Sequence, residues 1–201
     1  GSKVKMHVHG QNGNLDRIPA YIREVVQKED HSFDGVFTGK SQYQWKNDFS
    51  AENIKAPLIY EAHVGMATEE ERVGTYREFA DNILPRIKDL GYNCVQLMAI
   101  QEHPYYGSFG YQVSNYFAPS SRFGSPDDLR YLIDTAHGLG IAVILDVVHS
   151  HAVKNRDEGL VELDGTEQYF DGWQPDWDSR TFDYKKIEVK RFLASNLKYW
   201  M

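Results

Sequence analysis

The chain has 201 residues, of which 41% are hydrophobic, 25% charged and 13% aromatic, a composition that supports a packed core in one sizeable domain, or in a small domain joined to part of a larger one. The 22 lysines and arginines are outnumbered by 29 aspartates and glutamates, and the formal net charge of -7 argues against nucleic acid or an anionic membrane as the partner and favours a neutral ligand. The longest apolar runs, such as GIAVIL at 140–145, are far shorter than the roughly 20 residues that span a bilayer, and no secretory signal opens the chain, so we predict a soluble, cytoplasmic protein.

The first 56 residues predict β-structure followed by a linker. KVKMHVHG at 3–10 alternates like a half-exposed strand, and NGN at 12–14 is a turn signal that closes a hairpin. Residues 16–30 have a partly helical spacing of apolar side chains, but Pro19 and the β-branched residues favour a strand or irregular structure. Residues 31–56 are polar, aromatic and rich in turn signals, as expected of a linker that packs against neighbouring structure.

After Pro57, short apolar strands alternate with amphipathic helices. The predicted elements are a strand at 58–64, a helix at 75–91, a strand at 93–100, a helix at 125–140, a strand at 141–148 and a helix from 185 onward. Ser125 and Pro126 form a clear helix start, while Pro85 predicts a kink or break in the first helix. Cys94, the single cysteine, falls within the second strand, where we predict a buried thiol.

Three β-α units with almost continuous apolar strands predict a parallel sheet covered by helices. If this sheet is part of an eight-stranded barrel, the ligand-binding loops follow the carboxyl ends of the strands. Long segments rich in Tyr, Trp, Asp and Gly do follow the second and third strands, at 101–124 and 149–184. Aromatic rings stack on the C–H faces of sugars and carboxylates accept hydrogen bonds from hydroxyls, which favours a sugar ligand. The alternative is that these aromatic side chains only hold the long loops together.

The motif DVVHSH at 146–151 comes directly after the third apolar strand. On an extended segment His149 and His151 face the same way and have the spacing of a metal-binding pair. In barrel hydrolases of the amidohydrolase type, however, such a pair closes the first strand, whereas two β-α units precede it here. No further set of ligand-spaced His, Cys or carboxylate residues accompanies it, so we expect no metal. A glucan-binding module without catalytic activity remains an alternative.

Several blocks of the sequence resemble the 1,4-α-glucan branching enzymes of the α-amylase superfamily, in their eukaryotic-like form. The blocks are IYEAHVGM at 59–66, the stretch from LPRIKDLG to DVVHSH at 84–151, and LDGTEQYF at 163–170. The resemblance implies a (β/α)8 TIM barrel, of which residues 57–201 hold the first three β-α units. It also implies that residues 1–30 are the end of an immunoglobulin-like β-sandwich module that binds glucan, joined by the linker at 31–56.

The same resemblance implies roles for three residues. Asp146 supports the network of the active site, and His151 donates a hydrogen bond to a glucose hydroxyl at the cleavage subsite. Tyr111, in SFGYQ, stacks under the glucose that becomes bonded to the nucleophile. Many members of the superfamily have Asn before the last histidine of the motif and use it to hold calcium. Ser150 stands there in this chain, so we expect neither calcium nor any other cofactor.

Retaining glycosyl transfer needs two carboxylates, one as nucleophile and one as general acid and base. The resemblance implies a nucleophile in a strand-four segment of the type DGFRFDG and an acid/base glutamate after strand five, and neither is found in the 201 residues. FDG at 33–35 and 170–172 follows no apolar strand, and we expect turns there. We therefore expect a fragment, inactive alone, of an enzyme that cleaves α-1,4-glucan and transfers the chain to a 6-hydroxyl. The alternatives are a hydrolytic relative or a glucan-binding fragment without activity.

Overall fold

The computed structural model describes residues 1–201, which divide into two compact units. The parallel unit consists of Lys40–Ile100 and Ser120–Asp146, and its sheet is parallel. The antiparallel unit consists of Gly1–Gly39, Gln101–Pro119 and Val147–Met201, and all of its sheets are antiparallel. Each unit has its own core and is described separately below.

The elements are short and follow one another in chain order. The strands are β1 (Ser2–Val4), β2 (Met6–Gly10), β3 (Gly13–Arg17), β4 (Val25–Gln27), β5 (Phe33–Phe37), β6 (Ile59–Ala62), β7 (Cys94–Leu97), β8 (Gln101–Glu102), β9 (Asn115–Pro119), β10 (Ala142–Leu145), β11 (His151–Val153), β12 (Phe170–Gln174) and β13 (Ser179–Phe182). The α-helices are α1 (Tyr76–Glu78), α2 (Leu84–Asp89), α3 (Pro126–Gly138) and α4 (Ile187–Trp200). None of the helices has the length and apolar character needed to cross a bilayer.

The sheet of the parallel unit contains the three predicted strands in the order β10-β7-β6. In the register of this sheet, Ile59 and Ala142 both pair with Cys94. Val95 and Leu97 on the central strand are fully buried, as the apolar runs predict for a covered sheet. Cys94 is buried on the same strand, and burial raises the pKa of its thiol. The predicted order of strands and helices in this unit is therefore confirmed.

The first helical region contains the break that Pro85 predicts. A π-helical segment, Phe79–Ile83, separates α1 from α2, and Pro85 lies in the first turn of α2. Proline lacks the backbone N–H and its ring clashes with the carbonyl four residues earlier, so regular i to i−4 bonding cannot continue through it. At the start of the region, Thr75 and Glu78 form a reciprocal capping box.

Helix α3 begins and ends as its sequence predicts. The Ser125 side chain accepts a hydrogen bond from the Asp128 N–H, and the Asp128 carboxylate accepts from the Ser125 N–H in return. Pro126 occupies the first turn, where a missing N–H costs nothing. After the helix, Gly140 has φ of 73°, the left-handed conformation that glycine adopts without a Cβ clash.

The N-terminal part of the antiparallel unit contains the predicted hairpin, formed by β2 and β3. A second sheet has the order β1-β5-β4. Its central strand, Phe33–Phe37, falls within the segment that we expected to be a linker, so that segment is not irregular throughout. The reason is that Phe33 is buried with Ile18, Ile22 and Val25 in a small core, and β5 pairs with a neighbour along each edge.

The two long segments after β7 and β10 contain sheets of their own. The first contains the β8 and β9 pair, and the second contains a sheet in the order β11-β13-β12. The expectation of turns at both FDG sequences is wrong, because each FDG begins a strand. Phe33 and Phe170 are 3% exposed, and burial of the ring with pairing of the strand outweighs the turn preference of Asp-Gly. An irregularity between Phe170 and Gly172 accommodates the extra residue in β12.

Candidate functional site

Tyr111 is presented by a sharp turn in the antiparallel unit. A short 3-10 helix, Tyr106–Ser108, is followed by Phe109 with φ of 53° and Gly110 with φ of 91°. Phe109 is a non-glycine residue in the left-handed region, which costs roughly 1–2 kcal/mol. The Tyr111 N–H then donates to the Ser108 carbonyl at 3.0 Å. Two successive left-handed residues thus reverse the chain and bring the half-buried Tyr111 to the end of the turn.

His151 contacts the backbone of Tyr111 directly. Its Nε2 lies 2.8 Å from the Tyr111 carbonyl oxygen, and its Nδ1 lies 2.8 Å from the Ser150 hydroxyl. Because a carbonyl only accepts, Nε2 carries the proton and donates, which leaves Nδ1 to accept from Ser150. Burial lowers the pKa of the His151 imidazole, and the bond to Tyr111 opposes this only in part. The imidazole is therefore neutral near pH 7.

The segment that leads to His151 is anchored by a buried amide. Gln101 is fully buried, and its Oε1 accepts from the Val148 N–H at 3.3 Å. Its Nε2 donates to the Tyr116 carbonyl at 2.9 Å and to Asn196 Oδ1 at 3.1 Å. All polar atoms of this side chain are thus used within the protein, as a buried amide requires. Gln101 was not predicted from the sequence, because a glutamine at a strand end has no distinctive pattern.

His149 is held by a second set of contacts. Its Nε2 lies 2.8 Å from Asn196 Oδ1, and its carbonyl accepts from the Tyr184 hydroxyl at 2.6 Å. The carbonyl of His151 accepts from the Tyr116 hydroxyl, also at 2.6 Å. The two histidines of the H-x-H pair therefore bind different protein groups. The structure contains no cluster of three or more His, Cys, Asp or Glu side chains placed to hold a metal ion.

Trp177 adds an aromatic ring beside His151. The two ring centroids are 5.0 Å apart with the planes inclined by 39°, and Trp177 remains 54% exposed. Its carbonyl accepts from Gln112 Nε2 at 2.8 Å and from the Ser179 hydroxyl at 2.7 Å. From the sequence, Trp177 was predicted only to lie in an aromatic-rich loop. Its position beside His151 depends on how the β12–β13 hairpin folds back, which the local sequence does not indicate.

Asp146 directly follows β10 in the parallel unit. It is half-buried, and its N–H donates to the Leu97 carbonyl at 3.0 Å, which extends the pairing of β10 with β7 by one residue. Tyr111 and His151 belong to the antiparallel unit and contact each other. The structure thus brings two of the three predicted residues into direct contact and places the third at the carboxyl end of a parallel strand, the end where barrel proteins carry their ligand-binding loops.

Comparison with known proteins places the sequence of this chain in a family. Residues 63–194 match the family model described as "Alpha amylase, catalytic domain". Similar proteins include the 1,4-alpha-glucan-branching enzymes of Yarrowia lipolytica, 55% identical, Dictyostelium discoideum, 52% identical, and Solanum tuberosum, 50% identical, each matched over 100% of this chain. The chain spans 30%, 31% and 25% of the length of these relatives, respectively.

Solved structures with a similar fold include a putative alpha amylase from Salmonella typhimurium, with a TM-score of 0.77 at 23% identity, covering 100% of this chain and 33% of that one. A trehalose-6-phosphate hydrolase from Bacillus licheniformis has a TM-score of 0.58 at 17% identity, covering 72% of this chain and 33% of that one. At such identities the likeness concerns the fold alone. Together with the family model, it supports an α/β fold of the TIM-barrel type.

Proposed function

This chain belongs to the α-amylase catalytic-domain family, and we propose that it forms part of a 1,4-α-glucan branching enzyme. One observation carries the proposal: proteins of that name are 50–55% identical over alignments that cover the whole chain, so the long segments at 101–124 and 149–184 lie within the matched region. Long surface segments vary readily among proteins that share only a fold. A match that covers the whole chain at 50% identity or more therefore favours a shared reaction and not only a shared fold.

In the proposed reaction the C1–O4 bond of an α-1,4-glucan breaks and a new bond forms between the same C1 and the 6-hydroxyl oxygen of another glucose. Tyr111 would stack its ring under the glucose at the cleavage subsite, where an aromatic face also favours developing positive charge at C1. Asp146, at the carboxyl end of β10, would have the supporting role that the resemblance implies for it. The substrates are α-1,4-glucans such as glycogen, amylose and amylopectin.

His151 has a more specific role in this proposal than its sequence motif implies. Its Nε2–H is bound to the Tyr111 carbonyl and its Nδ1 to Ser150. A glucose hydroxyl can therefore bond to the imidazole only by replacing one of these contacts. Replacing the bond at Nδ1 needs only a rotation of the exposed Ser150 side chain. Replacing the bond at Nε2 would instead break the hydrogen bond that holds the Tyr111 carbonyl. We infer that His151 holds the backbone of Tyr111 in place through Nε2–H and accepts a hydrogen bond from a glucose hydroxyl at Nδ1, in place of the donation that the sequence motif implies.

The two carboxylates of a retaining transfer are assigned to other parts of the enzyme. The 201 residues contain no DGFRFDG-type segment, and each FDG sequence begins an antiparallel strand. This chain would thus supply substrate-binding residues and leave bond cleavage to groups outside it.

Residues 1–30 would be the end of a glucan-binding β-sandwich, a proposal supported by their antiparallel strands. A cytoplasmic location agrees with the single, buried cysteine.

A chimaeric enzyme tests the proposal. Residues 1–201 replace the matching segment of the Yarrowia lipolytica branching enzyme, and the product formed from linear amylose is analysed by proton NMR. We expect new α-1,6 anomeric signals without a matching rise in reducing ends. Release of reducing ends without new branches would favour a hydrolase. A folded chimaera that binds amylose but transforms none of it would favour a segment that only binds glucan.

A further inference from the structure

Trp177 lies at an exposed turn between β12 and β13, and its ring contacts the ring of His151 at an inclined angle. The short 3-10 helix Pro175–Trp177 carries it, and its indole is 54% exposed although one side meets His151. The side of the indole away from His151 therefore faces solvent. A large aromatic side chain left this exposed loses the free energy that burial of its ring would give.

The backbone at Trp177 is fixed from several directions. Gln112 and Ser179 both donate to its carbonyl. The next residue, Asp178, has φ of 49° and forms an ion pair with Lys154. Because Gln112 directly follows Tyr111, one end of the Tyr111 turn is bonded to the Trp177 turn. The indole is thus held in position relative to Tyr111 and His151, as a rigid binding surface requires.

The surroundings of the indole suit a neutral polyhydroxylated ligand. An exposed indole offers a flat apolar face for the C–H face of a sugar ring, and the exposed Asp176 carboxylate beside it can accept hydrogen bonds from hydroxyls. Another exposed tryptophan, Trp45, instead contacts Tyr43 and His137 in the parallel unit. Trp177 differs because its ring contacts a residue of the candidate site.

We propose that Trp177 is a glucan-binding residue, whose indole stacks on a glucose unit next to the one held at Tyr111 and His151. The inference rests on the proposed function, since it takes an α-1,4-linked glucan as the ligand. The ring centroids of His151 and Trp177 are 5.0 Å apart, so a chain of linked glucose units bound at His151 has the Trp177 ring directly beside it. Trp177 thereby extends the site from one sugar to at least two and favours chains over single glucose.

Binding of maltoheptaose to the 201-residue chain, measured by isothermal titration calorimetry, tests the proposal. Trp177→Ala should weaken binding about five- to tenfold, the change expected for loss of one aromatic contact. Trp177→Phe keeps a flat ring and should stay within about threefold of the parent. Trp45→Ala, which removes an equally exposed indole elsewhere, is the matched control and should bind as the parent does.

The outcomes separate this inference from the proposed function. If Trp177→Ala binds like the parent while Tyr111→Ala binds weakly, the role of Trp177 is refuted and the glucan site stands. If the parent does not bind maltoheptaose, both proposals fail. Should Trp177→Ala not fold, the indole N–H signal of Trp177, assigned by its loss in Trp177→Phe, gives a second test on the parent. Maltoheptaose must shift that signal, and an unchanged signal under saturation would refute the contact.

Discussion

The central strand of the parallel unit and the His151 segment of the antiparallel unit are held in place by different interactions. In the parallel unit, strand β7 buries Val95 and Leu97 completely, and helix starts are fixed by capping boxes at Thr75 and Ser125. In the antiparallel unit, the segment that carries His151 is held by side-chain amides and hydroxyls. Apolar burial tolerates small shifts, whereas a network of hydrogen bonds fixes positions closely. The segment that carries His151 is thus one whose geometry is set by directional bonds.

The largest expected effect concerns the chain without the rest of an enzyme. We expect the purified 201-residue chain to show no turnover of linear amylose, because the proposed site has groups suited to binding a sugar but no pair of carboxylates assigned to retaining transfer. Reducing-end release and α-1,6 signals by NMR are the measurements, with the chimaera as positive control. Any turnover above a buffer blank would contradict the assignment of catalysis to residues outside this chain.

Tyr111→Ala in the chimaera should lower turnover about 100-fold, because the sugar loses the ring that positions it. Its unfolding free energy should fall by less than about 2 kcal/mol, since Tyr111 is only half-buried. Turnover on amylose and denaturant unfolding are measured on the same preparation. Equal losses in activity and in folded fraction would show that Tyr111 is structural. Tyr111→Phe, which keeps the ring, serves as the matched control and should retain most of the turnover.

Gln101→Leu tests the network of the antiparallel unit. The substitution keeps a similar volume but leaves the buried Val148 N–H without an acceptor and Asn196 Oδ1 without one of its donors. We expect a loss of about 3 kcal/mol in unfolding free energy, measured by urea denaturation. Gln44→Leu, on the exposed surface, should change stability by less than about 0.5 kcal/mol. Similar values for the two variants would contradict the importance of the network.

Asp134→Asn tests the parallel unit, in which the buried carboxylate of Asp134 on α3 accepts several hydrogen bonds. Asp134 is 2% exposed and accepts from the Tyr43 hydroxyl, the Lys46 N–H, and the backbone and side-chain N–H groups of Asn47. Burial raises the pKa of its carboxyl, but these hydrogen bonds outweigh it, and the net pKa is lowered. The contribution of Asp134 to stability is therefore complete above about pH 4 and is lost as the pH falls further.

We expect Asp134→Asn to lower the free energy of unfolding by about 2 kcal/mol at pH 7. The new amide N–H₂ group is a donor, and it would lie opposite N–H groups that are also donors. Below pH 4 the difference from the parent should shrink as the parent carboxylate becomes protonated. Denaturant unfolding at pH 7 and pH 3 measures this, with the exposed Asp89→Asn as control. A difference that stays constant with pH would show that Asp134 does not act through its charge.

The elements of the parallel unit were predictable because each has a local cause. Pro85 predicted the break that appears as a π-helical segment, and Ser125 with Pro126 predicted the start of α3. The strand at 33–37 and the strands within 149–184 were missed, because their pairing depends on residues distant in sequence. Asp-Gly after Phe33 and Phe170 has the local character of a turn, and only tertiary burial of the two rings makes it a strand.

The candidate site, like the fold, was predictable from the sequence only in part. The resemblance identified Tyr111 and His151, which contact each other. It did not indicate that both imidazole nitrogens of His151 are bound within the protein, nor that Trp177 lies beside it. Gln101 and Asn196 were also missed, since buried amides are recognised by their partners and not by any sequence spacing. The residues that position a site are thus harder to find than those that touch a ligand.

The most direct test of the account is a map of glucan contacts on the parent chain by amide chemical-shift perturbation with maltoheptaose. We expect the shifts to concentrate at residues 108–112, 149–152 and 175–178, where the turns of Tyr111, His151 and Trp177 lie. Shifts confined to the hairpin of β2 and β3, or an absence of shifts at millimolar sugar, would contradict a glucan site built on Tyr111 and His151.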